Sequence, residues 1–424
     1  MSSIGYSTSS AQNDLQQLLG GSSEAAMDRI NDSAPVVFSK AAAVVGELGK
    51  SQISTVDLDA AGAQRMRVAY VLPASIDPAS SIGQKIERTL KVWVGLGVEH
   101  RLFVLGAHQG SWSRGWDAIA DVTPLGHPGL HNEARRQLAA RVLAGRVLQW
   151  GPDLVYSRIF LLALALDRLH RRLPLVHEVN SDDVIEFPRY ASRLGRLHPR
   201  TRHLTLRRVD GFVFVTDELR RNVGFQRYDV PSIVIGNGID THSVPRHPAP
   251  SNDRPRLLFL VGSSSAWTGI DKFAALASAL PEFDFDLAGD VDGHVAMPSN
   301  VTRHGYLVGD DLEALLRRAD VGLGTLALHR KSMDEACTLK VRECLSRGIP
   351  MILPYRDTDV DPSSDGVLTV ANTEDNVSRG VDDIRAFVNA QRGRRVPDKV
   401  VERLDSAAKE RCRLEFLEHL VEER

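Results

Sequence analysis

Short apolar runs alternate with longer amphipathic stretches along most of the chain from Met66 onward. The first run, Arg67 to Leu72, ends at Pro73 and is typical of a short buried strand. Five further strands are predicted before residue 240, namely at 102–105, 153–156, 174–177, 211–215 and 232–235. Strands that alternate with helical segments of about ten to fifteen residues predict βαβ units and a parallel sheet.

The alternation stops at Gly236–Asp240 and starts again after a stretch that is rich in proline. Four prolines lie between residues 245 and 255, which is typical of a linker. Beyond it we predict strands at 257–261, 285–288, 321–326, 351–353 and 367–370, and helices at 271–280, 310–318, 339–347 and 374–391. The pattern therefore predicts an α/β protein with two Rossmann-like, doubly wound domains that face each other across a cleft.

The domain boundaries follow from these breaks. We expect an N-terminal extension over 1–60, a first Rossmann-like domain over 61–238 and a second over 239–397. A charged amphipathic helix over 398–424 is expected to pack back across the cleft. The extension is polar and rich in serine and alanine; one amphipathic helix is predicted there, from Ala34 to Leu48, and no chemistry.

Composition narrows the class of protein. The 424 residues suffice for two full cores, and 43% apolar and 25% charged residues are ordinary for a globular protein. A net charge of −2 gives no basic field, so we expect no nucleic-acid partner. Three cysteines without a CxxC pair indicate neither a disulfide framework nor a zinc ribbon, and favour a reducing, cytoplasmic setting. We expect no secretory signal, and no apolar run approaches the roughly 20 residues that span a bilayer.

Two facing parallel sheets suit a transfer between two substrates, with one bound by each domain. The dinucleotide fingerprint G-x-G-x-x-G is missing after both Leu72 and Val261, which argues against a dehydrogenase. A Walker A sequence is also missing. Without a further motif, the two domains indicate only a nucleotide or sugar-phosphate ligand.

The sharpest motif is a pair of glutamates, Glu335 and Glu343, separated by seven residues at a strand-to-helix turn. Thr338 is the predicted N-cap, so the N–H groups of Leu339 and Lys340 face outward at the helix mouth, where a diphosphate would bind. Glu343, about one turn into the helix, is placed to accept hydrogen bonds from a ribose, and Glu335 from a sugar ring. A glutamate pair at this spacing is otherwise ordinary solvated surface.

This segment resembles the Glu-seven-Glu motif of the retaining glycosyltransferases of family 4, which have the two-domain GT-B fold. Further matches occur in order over residues 66 to 372: Ser80–Gly83, Asn237–Asp240, Phe259–Gly262, Asp286–Gly289 and His304–Leu307. The resemblance implies that Glu343 holds the ribose, Glu335 the transferred sugar, and Leu339 and Lys340 the phosphates. It also implies donor contacts at Gly83, Gly262, Thr338 and Tyr306, the last near the nucleobase, and no metal or other cofactor.

The sequence departs from the family in its phosphate-binding cations. Family members usually carry an arginine shortly after the opening glycine and a Lys-Gly a few residues later. Here the stretch runs from Gly262 through serines to Trp267-Thr268-Gly269, which resembles a sub-branch with tryptophan before the glycine. We expect Lys340 to replace the missing charge, with Lys272, Arg330 and Lys331 as further candidates. Trp267 is predicted either to contact the donor or to pack against the sheet edge.

The first domain, expected on the acceptor side, departs as well. Many members end the fourth strand in a histidine that faces the sugar, whereas this chain has Tyr156-Ser157-Arg158. His177 or Glu178, at the end of the next strand, is the candidate to position an acceptor hydroxyl, against a purely structural role. Asp182-Asp183 is either a metal-binding pair or, more simply, a helix N-cap.

Arg189 to Arg208 contains seven arginines, two histidines and no acidic residue. It is either a solvated helical face or a dock for an anionic lipid or acceptor.

Together these features predict a hexosyltransferase-type retaining glycosyltransferase in the cytoplasm or peripherally on the inner membrane face. Its donor is expected to be a UDP-sugar, with a GDP-sugar as the alternative, and its acceptor a glycan, a lipid-linked molecule or a small molecule, as in polysaccharide biosynthesis. Two alternatives stay open. One is a sugar-nucleotide epimerase on the same architecture, and the other is a catalytically silent binding subunit of a glycan-assembly complex.

Overall fold

The computed structural model describes residues 65–72, 76, 80–106, 120–124, 132–158, 165, 168–190, 198–262, 264–291 and 295–424. The predicted N-terminal extension, including its helix at 34–48, lies outside the described residues. In the part that is described, no helix is both long and apolar enough to cross a lipid bilayer.

The first sheet has seven parallel strands in the order β3-β2-β1-β4-β5-β6-β7. Its strands are β1 (Arg67–Leu72), β2 (Glu99–Gly106), β3 (Ala120–Pro124), β4 (Leu154–Ser157), β5 (Leu175–Val179), β6 (Gly211–Phe214) and β7 (Ser232–Val234). Its helices are α1 (Ser81–Gly95), α2 (Asn132–Trp150), α3 (Asp183–Tyr190), α4 (His198–Leu206), α5 (Asp217–Arg221) and α6 (Val223–Gln226). Strand order reverses between β1 and β4, so a crevice opens there at the carboxyl ends of the strands. We call this sheet and its helices the N-terminal lobe.

The second sheet has six parallel strands in the order β10-β9-β8-β11-β13-β15 and forms the C-terminal lobe. Its strands are β8 (Arg256–Leu260), β9 (Asp284–Ala288), β10 (Val301–Gly305), β11 (Val321–Leu323), β13 (Met351–Leu353) and β15 (Val367–Thr369). Two short strands, β12 (Glu335–Ala336) and β14 (Arg356–Asp357), pair separately. The helices are α7 (Ile270–Ala279), α8 (Gly309–Arg318), α9 (Leu339–Ser346), α10 (Asn376–Gln391), α11 (Asp398–Glu402) and α12 (Ser406–Glu422).

Each sheet is covered on both faces, which explains why strands such as β1 and β8 are apolar after their first residue. In β1, Val68 and Tyr70 pack toward Trp93 of α1, whereas Ala69 and Val71 pack toward the α2 side. The C-terminal sheet is likewise covered by two apolar clusters. The predicted α/β class with two Rossmann-like sheets is therefore confirmed.

The last helix, α12, packs in the N-terminal lobe. Leu414, Leu417 and Leu420 are buried in the same cluster as Trp93. The chain thus returns from the C-terminal lobe to the lobe in which its described part begins. The cut points predicted at residues 60, 238 and 397 are not defined by the sheets and stay predictions.

Candidate functional site

A cavity of about 380 Å³ lies at the carboxyl ends of the C-terminal strands, between the two lobes. The segments after β8, β9 and β10 form one wall, and the first turns of α9 form another. Ser81 and Gln84, at the start of α1, contribute from the N-terminal lobe. Ligands of open parallel sheets bind at this edge, so the cavity is the candidate site.

The start of α9 presents unsatisfied backbone donors to this cavity. Thr338 occupies the predicted N-cap position, with extended backbone angles, but its side chain makes no capping hydrogen bond. Its hydroxyl instead lies 3.5 Å from the hydroxyl of Tyr355. Leu339 and Lys340 line the cavity, and the free N–H groups of the first turn, together with the helix dipole, favour an anion there.

Lys340 adds a full positive charge to the same wall. A Cβ atom placed on Gly262 would lie 3.5 Å from the Lys340 ammonium, an ordinary van der Waals distance, so this ammonium lies beside the segment that follows β8. Burial lowers the pKa of Lys340 to about 8. Among the described residues, no carboxylate pairs with it. An ammonium without a protein counter-charge, beside free helix N–H groups, has the chemistry of a phosphate site.

Glu343 also lines the cavity, one turn further along α9. Its carboxylate accepts hydrogen bonds from Arg347 (2.8 Å) and from Arg88 of α1 (3.4 Å), and its side chain keeps 22% exposure. Arg347 is shared with Glu313, at 2.9 Å. These contacts orient Glu343 and leave part of its carboxylate open to accept hydroxyl donors.

The structure does not bring Glu335 to the cavity. One carboxylate oxygen accepts from the backbone N–H of Glu218 in α5 at 2.7 Å, and the other lies 3.2 Å from both Arg221 and Arg356. The Glu218 carboxylate accepts in return from the Glu335 N–H at 2.7 Å. Glu335 therefore lies in a reciprocal contact between the lobes, and its predicted role with the transferred sugar stays a prediction.

Two other predicted donor contacts also lie away from the cavity lining. The Lys272 ammonium donates to the Thr373 carbonyl (2.6 Å) and to Asn376 (3.1 Å), which ties α7 to the start of α10. The Lys331 ammonium lies over the Trp267 ring, 5.3 Å from the ring centroid. Of the four cations proposed to replace the family's missing charges, Lys340 is the one that lines the cavity.

Arg330, the remaining candidate, is committed to Asp271 and Glu374. The hydrogen bonds that Arg330 donates to these two carboxylates raise its pKa.

Gly83 and Tyr306 differ in whether they present a group that could contact the donor. The Gly83 N–H donates to Ser80 Oγ at 3.1 Å as the cap of α1, so this N–H is already used. Tyr306 lines the cavity with 63% of its surface exposed. An exposed aromatic ring at a cavity rim is suited to stack on a planar ligand.

His177 and Glu178 are both buried at the carboxyl end of β5. Burial lowers the pKa of His177 to about 4, so its imidazole is neutral at pH 7. Burial alone would raise the pKa of Glu178, but Lys85, Arg158 and Arg413 outweigh it and hold that pKa well below its usual range. Glu178 is thus a fixed anion in a salt-bridge cluster. The expected roles of both residues toward an acceptor stay predictions.

The acidic pair 182–183 is engaged by its own lobe. Asp182 accepts from the Val184 N–H at 2.9 Å, and Asp183 pairs with Arg202 at 2.6 Å and His198 at 2.5 Å. In the described part of the chain, one group of three possible metal ligands lies close together, formed by Cys337, Asp357 and Asp359.

The two carboxylates of this group are paired with cations of the protein itself. Arg342 pairs with both Asp357 and Asp359, and Lys409 pairs with Asp359 at 2.5 Å. The absence of a metal from the reaction stays a prediction.

The sequence did not reveal Arg88 and Arg347 as partners of Glu343. Arg88 is 255 residues away in sequence, and no local pattern distinguishes it from other solvated helix arginines. Arg347 follows Glu343 by four residues, a spacing that places the two side chains on one helix face. From that spacing the Arg347–Glu343 pair could have been predicted.

Part of the chain matches the profile of a known protein family. Residues 86–243 match the sequence profile described as Glycosyltransferase Family 4. Among curated protein sequences, none matches this chain.

Solved structures share the fold at low sequence identity. A sucrose-phosphate synthase from Thermosynechococcus elongatus has 14% identity and a TM-score of 0.62, covering 85% of this chain and 100% of its own. The lipopolysaccharide outer core galactosyltransferase WaaB has 10% identity and a TM-score of 0.59, covering 83% and 99%. Anabaena HepE, solved in complex with UDP and glucose, has 15% identity and a TM-score of 0.55, covering 84% and 100%. The shared architecture is the GT-B fold.

Proposed function

We propose that this chain, which has the GT-B fold, is a glycosyltransferase of family 4 that transfers a sugar, with retention, from a UDP-sugar to an acceptor in the N-terminal lobe. The observation that carries this proposal is the cavity in which Lys340, the start of α9 and Glu343 lie together. HepE, which shares the fold, is solved with UDP and with UDP-glucose, which favours uridine over other bases.

Three side chains of the cavity, those of Lys340, Glu343 and Tyr306, have a role in this proposal. The diphosphate binds the N–H groups of Leu339 and Lys340 and the Lys340 ammonium, which stabilise charge developing on the leaving group. Glu343 accepts the ribose hydroxyls, and Tyr306 contacts the base. A cation and helix dipole supply the charge that a metal supplies elsewhere, and no metal is needed in this scheme. The acceptor is a glycan, a lipid-linked molecule or a small molecule.

Nucleotide binding is the first test. Thermal unfolding of the full chain is measured with UDP, GDP, ADP and dTDP, because a ligand stabilises the folded state by RT ln(1 + [L]/Kd). We expect the largest rise in Tm with UDP. No rise with any of the four would contradict the proposed donor site.

Glu343→Ala should weaken UDP binding by about 1.5–3 kcal/mol, the usual contribution of hydrogen bonds to a charged group. Glu415→Ala, an exposed helix position, is the matched control and should bind like the wild type. Glu335→Ala should lower kcat. Wild-type kinetics in both Glu343→Ala and Glu335→Ala would refute the assignment of the motif, and an isomerised donor without acceptor would identify an epimerase instead.

We also propose that the N-terminal lobe contacts anionic membrane through its arginine-rich segment. Of Arg189 to Arg208, residues 191–197 lie outside the described residues. Arg207 and Arg208, with His170 and Arg171, line a cavity of about 290 Å³ whose lining is entirely basic. Each such charge contributes about 1 kcal/mol near an anionic surface.

Vesicle sedimentation tests this contact. Binding should increase with anionic lipid and fall in Arg207→Glu/Arg208→Glu. Equal binding to neutral and anionic vesicles would rule it out.

A further inference from the structure

The carboxyl edge of the N-terminal sheet carries a buried cluster of charges that the donor site does not use. Lys85 of α1 pairs with Glu178 at 2.5 Å, and the Tyr156 hydroxyl donates to the other oxygen of Glu178 at 2.8 Å. Arg413 of α12 pairs with Glu410 at 2.9 Å and also donates to Tyr156. All five side chains are buried, and both carboxylates are fully engaged.

Arg158 joins this cluster by charge but not by a hydrogen bond. It follows β4, and its side chain is only 10% exposed. Its Nη1 lies 3.8 Å from Glu178, and that buried nitrogen has no hydrogen-bond partner. No described residue accepts a hydrogen bond from this guanidinium. A buried guanidinium with unused N–H donors is costly unless something accepts from them.

The cluster contains more positive than negative charges. Lys85, Arg158 and Arg413 contribute three positive charges, and Glu178 and Glu410 contribute two negative ones. Burial lowers the pKa of Lys85 to about 8, and the neighbouring arginines act in the same direction, against Glu178. One positive charge is therefore uncompensated in a region of low dielectric, and an added anion would relieve it.

The position of the cluster connects it to the transfer reaction. Arg158 lies at the carboxyl end of β4, next to the point where the strand order reverses. Lys85 directly follows Gln84, which lines the donor cavity. A group held by Arg158 would thus lie at the carboxyl edge of the N-terminal sheet, the edge from which Ser81 and Gln84 reach the donor cavity.

We propose that Arg158, backed by Lys85 and Arg413, binds a phosphate group carried by the acceptor. This inference rests on the proposed function, because it names the acceptor class of the same cleft. The planar guanidinium matches the oxygens of a phosphomonoester and offers them several donors at once. The acceptor is accordingly a phosphorylated molecule, whether soluble or part of a lipid headgroup.

Phosphate titration of the full chain tests this site. Inorganic phosphate is added at constant ionic strength, with saturating UDP occupying the donor site, and Tm and the apparent Kd are measured. We expect phosphate to stabilise the wild type, and Arg158→Gln to weaken its binding about tenfold or more. Arg158→Lys should recover part of the loss. Arg141→Gln, an exposed arginine of the same lobe, should bind phosphate like the wild type.

Several outcomes would overturn the proposal. They are no stabilisation by phosphate, an unchanged response in Arg158→Gln, and an equal response to acetate. An unchanged rise in Tm with UDP verifies that Arg158→Gln is folded. If UDP fails to bind at all, the donor assignment fails, and the titration is repeated in Lys340→Met, where the Arg158 comparison is independent of the donor site.

Two further probes separate the possible sources of the phosphate. Glycerol 3-phosphate represents a soluble phosphomonoester, and phosphatidylcholine vesicles with and without phosphatidic acid represent a headgroup. Arg158-dependent binding of either supports the site and identifies its source. Binding of both that is independent of Arg158 contradicts it.

Discussion

At the donor cavity, Lys340 has lost much of its hydration without gaining a protein counter-charge. Burial lowers its pKa to about 8, and the adjacent N–H groups of α9 carry no side-chain cap. Most surface lysines instead stay solvated or pair with a carboxylate, as Lys91 does with Glu87. The combination favours a bound anion, because only an anion restores the charged form of the buried ammonium.

This property predicts how UDP affinity depends on pH. Below pH 8 the free Lys340 is protonated and affinity should be constant. Above pH 8 it loses its proton, and affinity should fall up to tenfold per pH unit until the higher pKa of the bound state is reached. Calorimetric titration of UDP from pH 7 to 9.5 measures this profile.

Two lysine variants test whether Lys340 causes the fall in UDP affinity above pH 8. Lys340→Met should bind UDP about tenfold or more weakly at pH 7 and show no decline above pH 8. Lys91→Met, with a side chain 74% exposed, should keep the wild-type profile. A decline that persists in Lys340→Met would show that another group titrates.

At the scale of elements, the sequence predicted the central strands and the two edge strands that keep an apolar run, β7 and β15, but missed the other two edges. β9, predicted at 285–288, runs from Asp284 to Ala288, and its last four residues are buried. β3 (Ala120–Pro124) and β10 (Val301–Gly305) were not predicted, and both are edge strands with polar sequences such as Val-Thr-Arg-His-Gly. An edge strand has one pairing partner and less apolar cover, so its sequence lacks the usual signal.

The same limit applies to the candidate site. The start of α9, with Thr338, Lys340 and Glu343, was predicted from local spacing and N-cap chemistry. The position of Glu335 was not predicted, because it depends on pairing with β14 and on α5, more than 100 residues away.

The predicted C-terminal helix is divided into α11 and α12, where Asp405 caps α12 by accepting from the Ala408 N–H at 2.9 Å.

α9 is held in place by a residue that faces away from the cavity. Arg342 is fully buried and donates to the Asn237 carbonyl in the segment between the lobes at 2.9 Å. It also pairs with Asp357 at 2.5 Å and with Asp359. Its guanidinium thus fixes the donor helix to β14 and to that segment.

Arg342→Met should therefore destabilise the fold by about 3–5 kcal/mol, because it leaves two carboxylates without their buried partner. Urea unfolding measures this change. Arg379→Met is the matched control, since Arg379 is 80% exposed and pairs only with Asp375, and it should cost less than about 1 kcal/mol. A small effect of Arg342→Met would mean that Lys409 compensates the carboxylates alone.

At the scale of the whole molecule, several contacts among the described residues join the lobes, and the Arg88–Glu343 pair at the donor cavity is one of them. Glu335 and Glu218 each donate a backbone N–H to the carboxylate of the other. Lys331 pairs with Glu186, and the Thr358 hydroxyl donates to the Val215 carbonyl at 2.8 Å. The last helix also links the lobes through the chain itself, because α12 follows the C-terminal lobe in sequence but is buried in the N-terminal lobe. Unfolding either lobe should therefore disturb the other.

Unfolding measured by two probes tests this coupling. Trp267 is the one tryptophan beyond residue 150, so fluorescence of Trp267→Phe reports on the N-terminal half, while circular dichroism reports on both lobes. In that background, Leu417→Ala in α12 and Leu276→Ala in α7 each remove a fully buried side chain and should cost about 2–5 kcal/mol. Because the lobes are coupled, each substitution should lower the fluorescence and dichroism midpoints in urea together. If Leu276→Ala shifts the dichroism midpoint but leaves fluorescence unchanged, the lobes unfold independently, and the burial of α12 does not couple them.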